Sequence, residues 1–319
     1  MNEDDVVRRL RGLFSDRIGD DAAVIGDMVA TTDMLVEGVD FTPETPPQFI
    51  ARKSLAVNLS DLAAMGAEPT WALASFALPP WFMPHLDVFL EALAAAAREY
   101  RIEIVGGDLS RSASLVISIV ACGAIRPRAL LRTGARPGDR IYLSRPVGGA
   151  ASGLALLRDG WTMTGAPPRP TGYSVIEFAR SAMRRHLDPE PELALGSALA
   201  RVPEVTACID VSDGLSTDLN RLCSASACGA EIDRDRIPIF PDLISAAPAL
   251  GIRARDAVLH GGEEFALLFT SSMRESELSS RLGRPVYMIG KMTAGAGVTL
   301  IEDGVAKPLE PGGWDHFST

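Results

Sequence analysis

The chain has 319 residues, of which 47% are hydrophobic. This length exceeds one typical hydrophobic core, so two domains are expected. The formal net charge of −10 argues against nucleic acid or an anionic membrane as the main partner, but it is compatible with a small phosphorylated substrate if metal ions reverse the field locally.

The cysteines and the N-terminal segment point to a reducing compartment. The four cysteines have no CxxC spacing, which favours buried reduced thiols over disulfides or a zinc site. The first residues are charged and contain no apolar signal core, and no apolar run approaches the length of a membrane span. We therefore expect a cytoplasmic protein without a membrane partner.

Acidic residues mark the first two predicted strands. Residues 22–25 are predicted to form a short strand after Asp20-Asp21, and residues 29–36 a second strand that carries Asp33. Gly26-Asp27 between them is a hairpin turn signal. Because the strands of a hairpin are neighbours, the two acidic segments are expected to face one another across the sheet.

A long helix is predicted over residues 48–65, where Gly66 ends it. Ser54, Asn58 and Asp61 are spaced i, i+4 and i+7, so all three project from one face. The rest of the helix is almost entirely apolar, and polar groups on a largely buried helix need partners. The stripe therefore favours a functional site over a solvated face.

A further predicted strand also ends in an acid, Asp108. A strand over 71–78, an amphipathic helix over 87–100 and a strand over 102–105 lead into Gly106-Gly107-Asp108. Paired glycines let the backbone approach a ligand closely. After a predicted strand over 113–125 the composition turns basic and loop-like, so we predict one domain over residues 1–136 and another over 137–319.

The C-terminal half contains the most acidic strand-to-helix junction. Residues 205–209 read as a buried strand and a helical pattern begins after Gly214, with Asp210, Ser212 and Asp213 between them. A helix N-terminus offers free N–H groups and partial positive charge, and two Asp residues beside it suit Mg²⁺. The glycine-rich residues 147–154 are a second, weaker candidate for a phosphate-binding helix start.

The other predicted elements of this half complete a mixed pattern. Strands are predicted over 141–144, 265–269, 285–288 and 297–301, and helices over 174–185 and 193–201. Residues 160–172 read as a mobile surface loop, and the tail over 312–317 is aromatic and glycine-rich.

Carboxylates at strand ends are the recurring feature of the whole chain. Acids brought close together repel and raise each other's pKa unless cations hold them. Mg²⁺ that bridges to phosphate oxygens resolves this repulsion, and the number of acids favours more than one ion. The motifs GxxxxGK[ST], HExxH and GxSxG are absent from the sequence. The residues alone therefore predict a metal-dependent phosphate or nucleotide enzyme and do not name its substrate.

Six collinear motifs resemble the thiamine-monophosphate kinase family, within the aminoimidazole ribonucleotide synthetase superfamily. They span most of the chain: Ile18-Gly19-Asp20-Asp21-Ala22-Ala23, Thr31-Thr32-Asp33-Met34-Leu35-Val36-Glu37-Gly38, Asn58-Leu59-Ser60-Asp61-Leu62-Ala63-Ala64-Met65-Gly66, Val105-Gly106-Gly107-Asp108, Asp210-Val211-Ser212-Asp213-Gly214-Leu215 and Gly261-Gly262-Glu263-Glu264. The resemblance implies an α/β (α+β) two-domain fold of mixed sheets flanked by helices. It also implies a homodimer whose N-terminal sheets pair.

The same resemblance implies a reaction and a set of site residues. The reaction is ATP-dependent transfer of the γ-phosphoryl group to thiamine monophosphate, giving thiamine diphosphate and ADP. The implied Mg²⁺ ligands are Asp20, Thr31, Thr32, Asp33, Asp61, Asp108, Asp210 and Asp213. The implied ATP contacts are Gly107, Asp108, Arg132 and Ser212, the implied substrate contacts are Asp40, Glu263 and Trp314, and Asp213, Asp108 and Arg132 are the implied catalytic groups.

Four positions depart from the family pattern. Asp40 stands where His is usual, and a carboxylate there would repel a substrate phosphate unless a metal intervened. Glu264 and Phe265 replace a usual Asp and Tyr, and Glu192 replaces a common Arg. Two alternatives stay open at this point: another ATP-dependent synthetase of the superfamily, and a non-catalytic Mg·nucleotide-binding protein.

Overall fold

The computed structural model describes residues 3–15 and 17–317. In its first part, helices and strands alternate along the chain. The elements are α1 (Glu3–Leu13), β1 (Ala23–Ile25), β2 (Met28–Val36), α2 (Pro47–Ala64), β3 (Ala67–Leu78), a 3₁₀ helix (Pro80–His85), α3 (Leu86–Glu99), β4 (Glu103–Arg111) and β5 (Val116–Ile125).

The strands of this part form a sheet in the order β1-β2-β5-β3-β4. Only the β3–β4 pairing is parallel among the described pairings of this sheet, because α3 carries the chain back between those two strands. Alternate residues of β5, such as Ile117 and Ile119, pack into a core with Leu55 and Leu59 of α2. On the opposite face Met34 is 57% exposed and Leu73 38% exposed.

The second part builds a larger sheet. Its elements are β6 (Arg140–Leu143), α4 (Gly149–Arg158), α5 (Tyr173–Leu187), α6 (Leu193–Ala200), β7 (Val205–Asp210), α7 (Leu215–Ala225), β8 (Gly229–Asp233), a 3₁₀ helix (Arg234–Arg236), α8 (Leu243–Leu250), α9 (Ala254–Leu259), β9 (Leu267–Ser271), α10 (Glu275–Leu282), β10 (Tyr287–Thr293), β11 (Val298–Glu302) and β12 (Val305–Pro308). The strand order is β12-β11-β8-β10-β6-β9-β7.

Helix α2 joins the two parts. Its last turn packs with α6 in a cluster that contains Ala63, Leu195 and Leu199. A Cβ atom on Gly196 would lie 2.0 Å from the Ala63 carbonyl oxygen, so the helices touch backbone to backbone. This contact brings the polar stripe of α2 against the end of β7, where the site forms.

Most predicted elements are confirmed within a few residues, and one difference has a clear physical cause. The strand expected over 102–105 continues through Arg111, because Gly107 lies flat against Ala74, where a Cβ would sit 1.7 Å from the carbonyl oxygen. Helices α1, α8, α9 and α10 and strands β8 and β12 were not predicted; α8 contains Pro248. The boundary between residues 136 and 137 stays a prediction. No helix of the described residues is both long and apolar enough to cross a membrane.

Candidate active site

Three carboxylates from three different elements meet between the two sheets. Asp21 lies in the loop two residues before β1, Asp61 lies on α2 and Asp210 is the last residue of β7. One oxygen from each lies within 4.8 Å of the others. We call this group the carboxylate triad.

Burial dominates the electrostatics of the triad. It raises the pKa of Asp61, and the nearby Asp33 and Asp210 raise it further. The pKa of Asp210 is raised by burial and by Asp21. Hydroxyl groups provide partial compensation, because Thr31 donates to Asp61 and Ser60 donates to Asp210. Asp21 Oδ2 is buried and has no hydrogen-bond partner among the described residues.

This donor set fits a hard divalent cation. Its atoms are carboxylate oxygens, which Mg²⁺ prefers, and one of them is buried without a partner in the protein. Carboxylates this close together stay ionised only when positive charge is added beside them. Asp20 is the predicted ligand of this segment, but the structure brings Asp21 into the triad.

Arg132 fixes the position of the acidic segment before β1. Its Nε and Nη2 lie 3.1 and 2.6 Å from Asp21 Oδ1. Its backbone N–H donates to Asp20 Oδ1 over 2.7 Å. Asp20 therefore holds the linker after the first sheet, and the Arg132 guanidinium partly neutralises the triad.

Strand β2 contributes to the site from alternate positions. Thr31 and Asp33 face α2, where the Asp33 N–H donates to Asn58 Oδ1 over 2.8 Å. Burial, Asp213 and Asp40 raise the pKa of Asp33 to about 6. Thr32 points to the opposite face, where its hydroxyl lies 3.5 Å from Ser118 Oγ. The structure thus brings Thr31 and Asp33 to the triad but not the Thr32 side chain.

The loop after β7 is organised by a residue that the sequence analysis missed. Asp218 Oδ2 accepts hydrogen bonds from the N–H groups of Asp213 and Gly214, at 3.1 and 3.0 Å. Burial and Asp213 raise the pKa of Asp218 to about 7. Arg221 contacts Asp213 Oδ2 and lies 3.2 Å from Asp218 Oδ1. Its position one helical turn after Gly214 was the feature of the sequence that could have predicted this role.

A second acid is partly buried against α2 and α5, in what we call the Glu263 pocket (Lys53, His186 and Glu263). Lys53, which is 3% exposed, places Nζ 2.5 Å from Glu263 Oε1, and His186 Nδ1 lies 2.8 Å from Oε2. Burial alone would raise the pKa of Glu263, but Lys53 and His186 lower it to about 2. Ser212 reaches this loop through its carbonyl, which accepts from the Glu263 N–H over 2.6 Å.

Asp40 lies next to this pocket and is held by its own turn. Its Oδ2 accepts from the Val36 N–H over 2.7 Å, and its carbonyl oxygen accepts from Lys53 Nζ over 3.2 Å. Burial raises the pKa of Asp40, while Lys53 opposes that rise. The backbone N–H of Trp314 donates to the Asp213 carbonyl over 3.0 Å.

Gly107 and Asp108 lie far from the triad within one chain. The register runs from Asp33 through Ile119 and Ala74 to Gly107, so three strand spacings separate β2 from β4. At roughly 4.8 Å per spacing the separation is about 14 Å. Asp108 is exposed on this edge strand. The structure therefore does not bring Asp108 together with the other predicted ligands of the same chain.

The predicted phosphate cradle at 147–154 is wrong. Glu264 Oε1 accepts from the N–H groups of Gly148 and Ala150, each over 2.8 Å, so the chain itself caps the start of α4. Glu192, the other unexplained acid, lies 2.9 Å from Arg284 and 3.8 Å from Arg145. Both glutamates are parts of a buried charge network and not of the site.

Comparisons with known proteins agree with this architecture. A family model described as AIR synthase related protein, N-terminal domain, matches residues 19–125, and the model of the corresponding C-terminal domain matches residues 136–303. Thiamine-monophosphate kinase of Salmonella typhimurium is 37% identical over 326 residues, covering 99% of this chain and 96% of the relative. The chain belongs to the thiamine-monophosphate kinase family.

Further members of this family extend the likeness. Thiamine-monophosphate kinase of Escherichia coli K12 is 37% identical and covers 95% of this chain and 92% of its own length. The solved structure of AaThiL complexed with AMPPCP and TMP has a TM-score of 0.86 at 31% identity, covering 99% of this chain and 97% of that chain. Thiamine Monophosphate Kinase from Aquifex Aeolicus has a TM-score of 0.81 at 29% identity and covers 98% of this chain and all (100%) of that chain. The predicted family and the two-domain mixed α/β fold are confirmed, whereas pairing of N-terminal sheets across a dimer stays a prediction.

Proposed function

We propose that this chain transfers the γ-phosphoryl group of ATP to thiamine monophosphate. In this reaction an oxygen of the acceptor phosphate forms a bond to the γ-phosphorus, the bond to the β–γ bridging oxygen breaks, and ADP leaves with that electron pair. The observation that carries the proposal is the double use of Asp213. Its carboxylate faces the acids of the site, and its carbonyl oxygen accepts from Trp314.

The residues divide the work of bringing two polyanions together. We assign the metal ligands to Asp20, Thr31, Asp33, Asp61, Asp108, Asp210 and Asp213, and the triad geometry adds Asp21. The predicted ligand Thr32 is left out, because its side chain points to the opposite face of β2. Bound Mg²⁺ supplies the positive charge that neutralises the phosphates during transfer. Gly107, Asp108, Arg132 and Ser212 are assigned to ATP, and Asp40, Glu263 and Trp314 to the thiamine phosphate.

The acceptor chemistry explains why no strong general base is required. The phosphate oxygen of the acceptor is already ionised at neutral pH, so the protein's task is alignment and charge neutralisation. Arg132 is held by Asp21 on one side, which keeps its guanidinium rigid at the edge of the triad. We assign the catalytic roles to Asp213, Asp108 and Arg132.

We further propose a homodimer in which Asp108 serves the partner's site. Three observations support it: Asp108 lies about 14 Å from Asp33 across three strand spacings, β4 is exposed along most of its length, and the outer face of the sheet carries exposed Met34 and Leu73. Paired sheets would cover that face. We also propose a domain boundary at residues 136/137 and a cytoplasmic location.

Complementation tests the shared site. Asp61→Asn and Asp108→Asn proteins, each inactive alone, are unfolded and refolded together in equal amounts. Half of the dimers are then mixed, and each mixed dimer keeps one intact site, so about a quarter of wild-type activity returns. An Asp61→Asn and Asp210→Asn mixture is the matched control and stays inactive. Absence of recovery in the first mixture would place Asp108 outside the shared site.

The reaction itself is tested by ADP release. Purified protein with ATP and Mg²⁺ is offered thiamine monophosphate, thiamine, aminoimidazole-type amine substrates or pyridoxal phosphate. We expect ADP release with thiamine monophosphate alone and thiamine diphosphate as the product. Binding of ATP without turnover of any acceptor would refute the proposal and favour a nucleotide-binding protein, whereas turnover of an amine acceptor would favour a synthetase.

A further inference from the structure

The C-terminal strap, which we define as residues 312–314, lies flat against the first turn of α7. Three consecutive backbone N–H groups donate to that turn or to the loop before it. The acceptors are Ser216 Oγ for Gly312 at 3.2 Å, Thr217 Oγ1 for Gly313 at 3.0 Å and the Asp213 carbonyl for Trp314 at 3.0 Å. The strap is therefore docked through every one of its N–H groups.

Glycine is required for this docking. A Cβ atom on Gly313 would lie 2.0 Å from the Asp213 carbonyl oxygen and 2.7 Å from Thr217 Oγ1. A Cβ on Gly312 would lie 2.7 Å from His260 Nδ1. Real Cβ atoms do not approach oxygen or nitrogen so closely, so any other residue lifts the strap from the helix.

A hydrogen-bond relay fixes the acceptor under Gly312. The Ser216 hydroxyl has one proton, and its oxygen already accepts from the Gly312 N–H. Ser216 Oγ lies 2.8 Å from His260 Nδ1, so a hydrogen bond joins the two side chains. Ser216 is fully buried, which leaves its hydroxyl no alternative in solvent. His260 thus orients Ser216, and Ser216 orients the strap.

We propose that Ser216 and His260 are positioning residues that hold Trp314 against the thiamine side of the site. The proposal rests on the function assigned above and names two residues outside that assignment. The strap ends at Trp314, which is 44% exposed and packs edge to face on His316 at 5.7 Å between ring centroids. Because the anchor of Trp314 is Asp213, the strap sets the aromatic ring relative to the phosphate-transfer centre.

Kinetics with matched controls test this role. In Ser216→Ala the strap loses one hydrogen bond, and KM for thiamine monophosphate is expected to rise about fivefold while KM for ATP changes by less than about twofold. Gly313→Ala is expected to raise the same KM by at least about tenfold. Ser224→Ala, an exposed serine on α7, and Gly172→Ala, where a Cβ meets open space, are the controls and leave both constants unchanged.

A second readout does not depend on turnover. Acrylamide quenching of Trp314 fluorescence is obtained as the difference between each protein and its Trp314→Phe counterpart. Quenching is expected to increase in Ser216→Ala, His260→Phe and Gly313→Ala, and not in the controls. Unchanged quenching in all three variants overturns the proposal. Altered quenching in a protein that never phosphorylates thiamine monophosphate would refute the proposed function and leave the strap assignment intact. Equal increases in both KM values would overturn the specific role on the thiamine side.

Discussion

The carboxylate triad and the Glu263 pocket are two acidic groups with opposite electrostatics. In the triad, burial and neighbouring acids raise the pKa of Asp61 and Asp210. In the pocket, Lys53 and His186 outweigh burial and lower the pKa of Glu263 to about 2. The difference lies in the cations that the chain itself supplies.

This contrast separates metal binding from structural charge pairing. Glu263 has the cation Lys53 within 2.5 Å and a second partner, His186, within 2.8 Å, so added metal would gain little there. The triad has hydroxyl donors and the Arg132 guanidinium, which contacts Asp21, and one Asp21 oxygen has no partner among the described residues. We infer that divalent cations complete the triad and that the Glu263 pocket works without them.

Removal of one triad carboxylate has the largest expected effect. Asp61→Asn is nearly isosteric and should lower kcat by at least about 10³-fold, because a ligand is lost where phosphate charge must be neutralised. The Tm of metal-free protein should stay the same or rise, since repulsion with Asp33 and Asp210 is relieved. Scanning calorimetry with EDTA and then with Mg²⁺ checks both points: the wild type gains Tm on adding Mg²⁺ and the variant does not.

The exposed turn residue Asp27 provides the control for that experiment. Asp27→Asn removes an exposed carboxylate from the turn between β1 and β2 and should change neither kcat nor the Mg²⁺-induced gain in Tm. Near-normal turnover in Asp61→Asn, or a full Mg²⁺ effect on its Tm, would refute the metal assignment of the triad.

Removal of the Lys53 cation from the Glu263 pocket is expected to lower the stability of the protein. Lys53→Met leaves the Glu263 carboxylate without its nearest partner and should lower the free energy of unfolding by about 3 kcal/mol at pH 7. The depressed pKa of Glu263 contributes stability that is present above its unfolded value of 4.5 and is lost as pH falls toward about 2. The difference between wild type and variant should therefore shrink between pH 4.5 and pH 2.

Urea denaturation at pH 7 and pH 3 measures this change. Lys291→Met removes a lysine that is 3.0 Å from Glu231 but 58% exposed, and it should cost no more than about 0.5 kcal/mol at either pH. A similar small cost for Lys53→Met would show that the pocket is not electrostatically balanced by Lys53.

The triad was partly predictable from the sequence and the Glu263 pocket was not. The spacing of Asn58 and Asp61 on a mostly apolar helix placed both on one face, and the structure gives both a partner from β2. The choice between Asp20 and Asp21 was beyond that reasoning, because the side that each adjacent acid faces depends on how the loop before β1 meets Arg132.

Long-range charge pairing explains the rest of what was missed. Lys53, His186 and Glu263 come from three distant segments and meet only because α2 packs between the sheets. No local periodicity encodes such a meeting. Likewise the glycine-rich start of α4 resembles a phosphate site until the fold brings Glu264 onto it.

A pH dependence distinguishes the two regions further. The pKa of Asp33 is raised from 3.8 to about 6, so the folded state favours its protonated form. Ionisation of Asp33 lowers the free energy of unfolding as pH rises from 3.8 through 6, and this loss is complete above that range. In EDTA, Asp33→Asn should therefore be more stable than wild type by about 3 kcal/mol at pH 8, with a difference that closes toward pH 4.

Chemical denaturation across this pH range checks the sign. Addition of Mg²⁺ at pH 8 should make the wild type the more stable of the two proteins, because only the wild type has the Asp33 carboxylate as a metal ligand. If Asp33→Asn were less stable than wild type in EDTA at pH 8, the triad and its neighbours would already be neutralised by the chain, and the contrast with the Glu263 pocket would be lost.

Asp40 lies between the two regions, and its substitution has the smallest expected effect. Its charge raises the pKa of Asp33, while Lys53 of the pocket lowers the pKa of Asp40 itself. The side chain accepts from the Val36 N–H, a bond that an Asn oxygen retains. Asp40→Asn should therefore keep the turn, remove one repulsive charge and lower KM for thiamine monophosphate by about twofold. Asp303→Asn, in an exposed turn, should leave KM unchanged. A KM that rises tenfold in Asp40→Asn would instead mean that the carboxylate binds the substrate through a metal, and Asp40 would then belong with the triad.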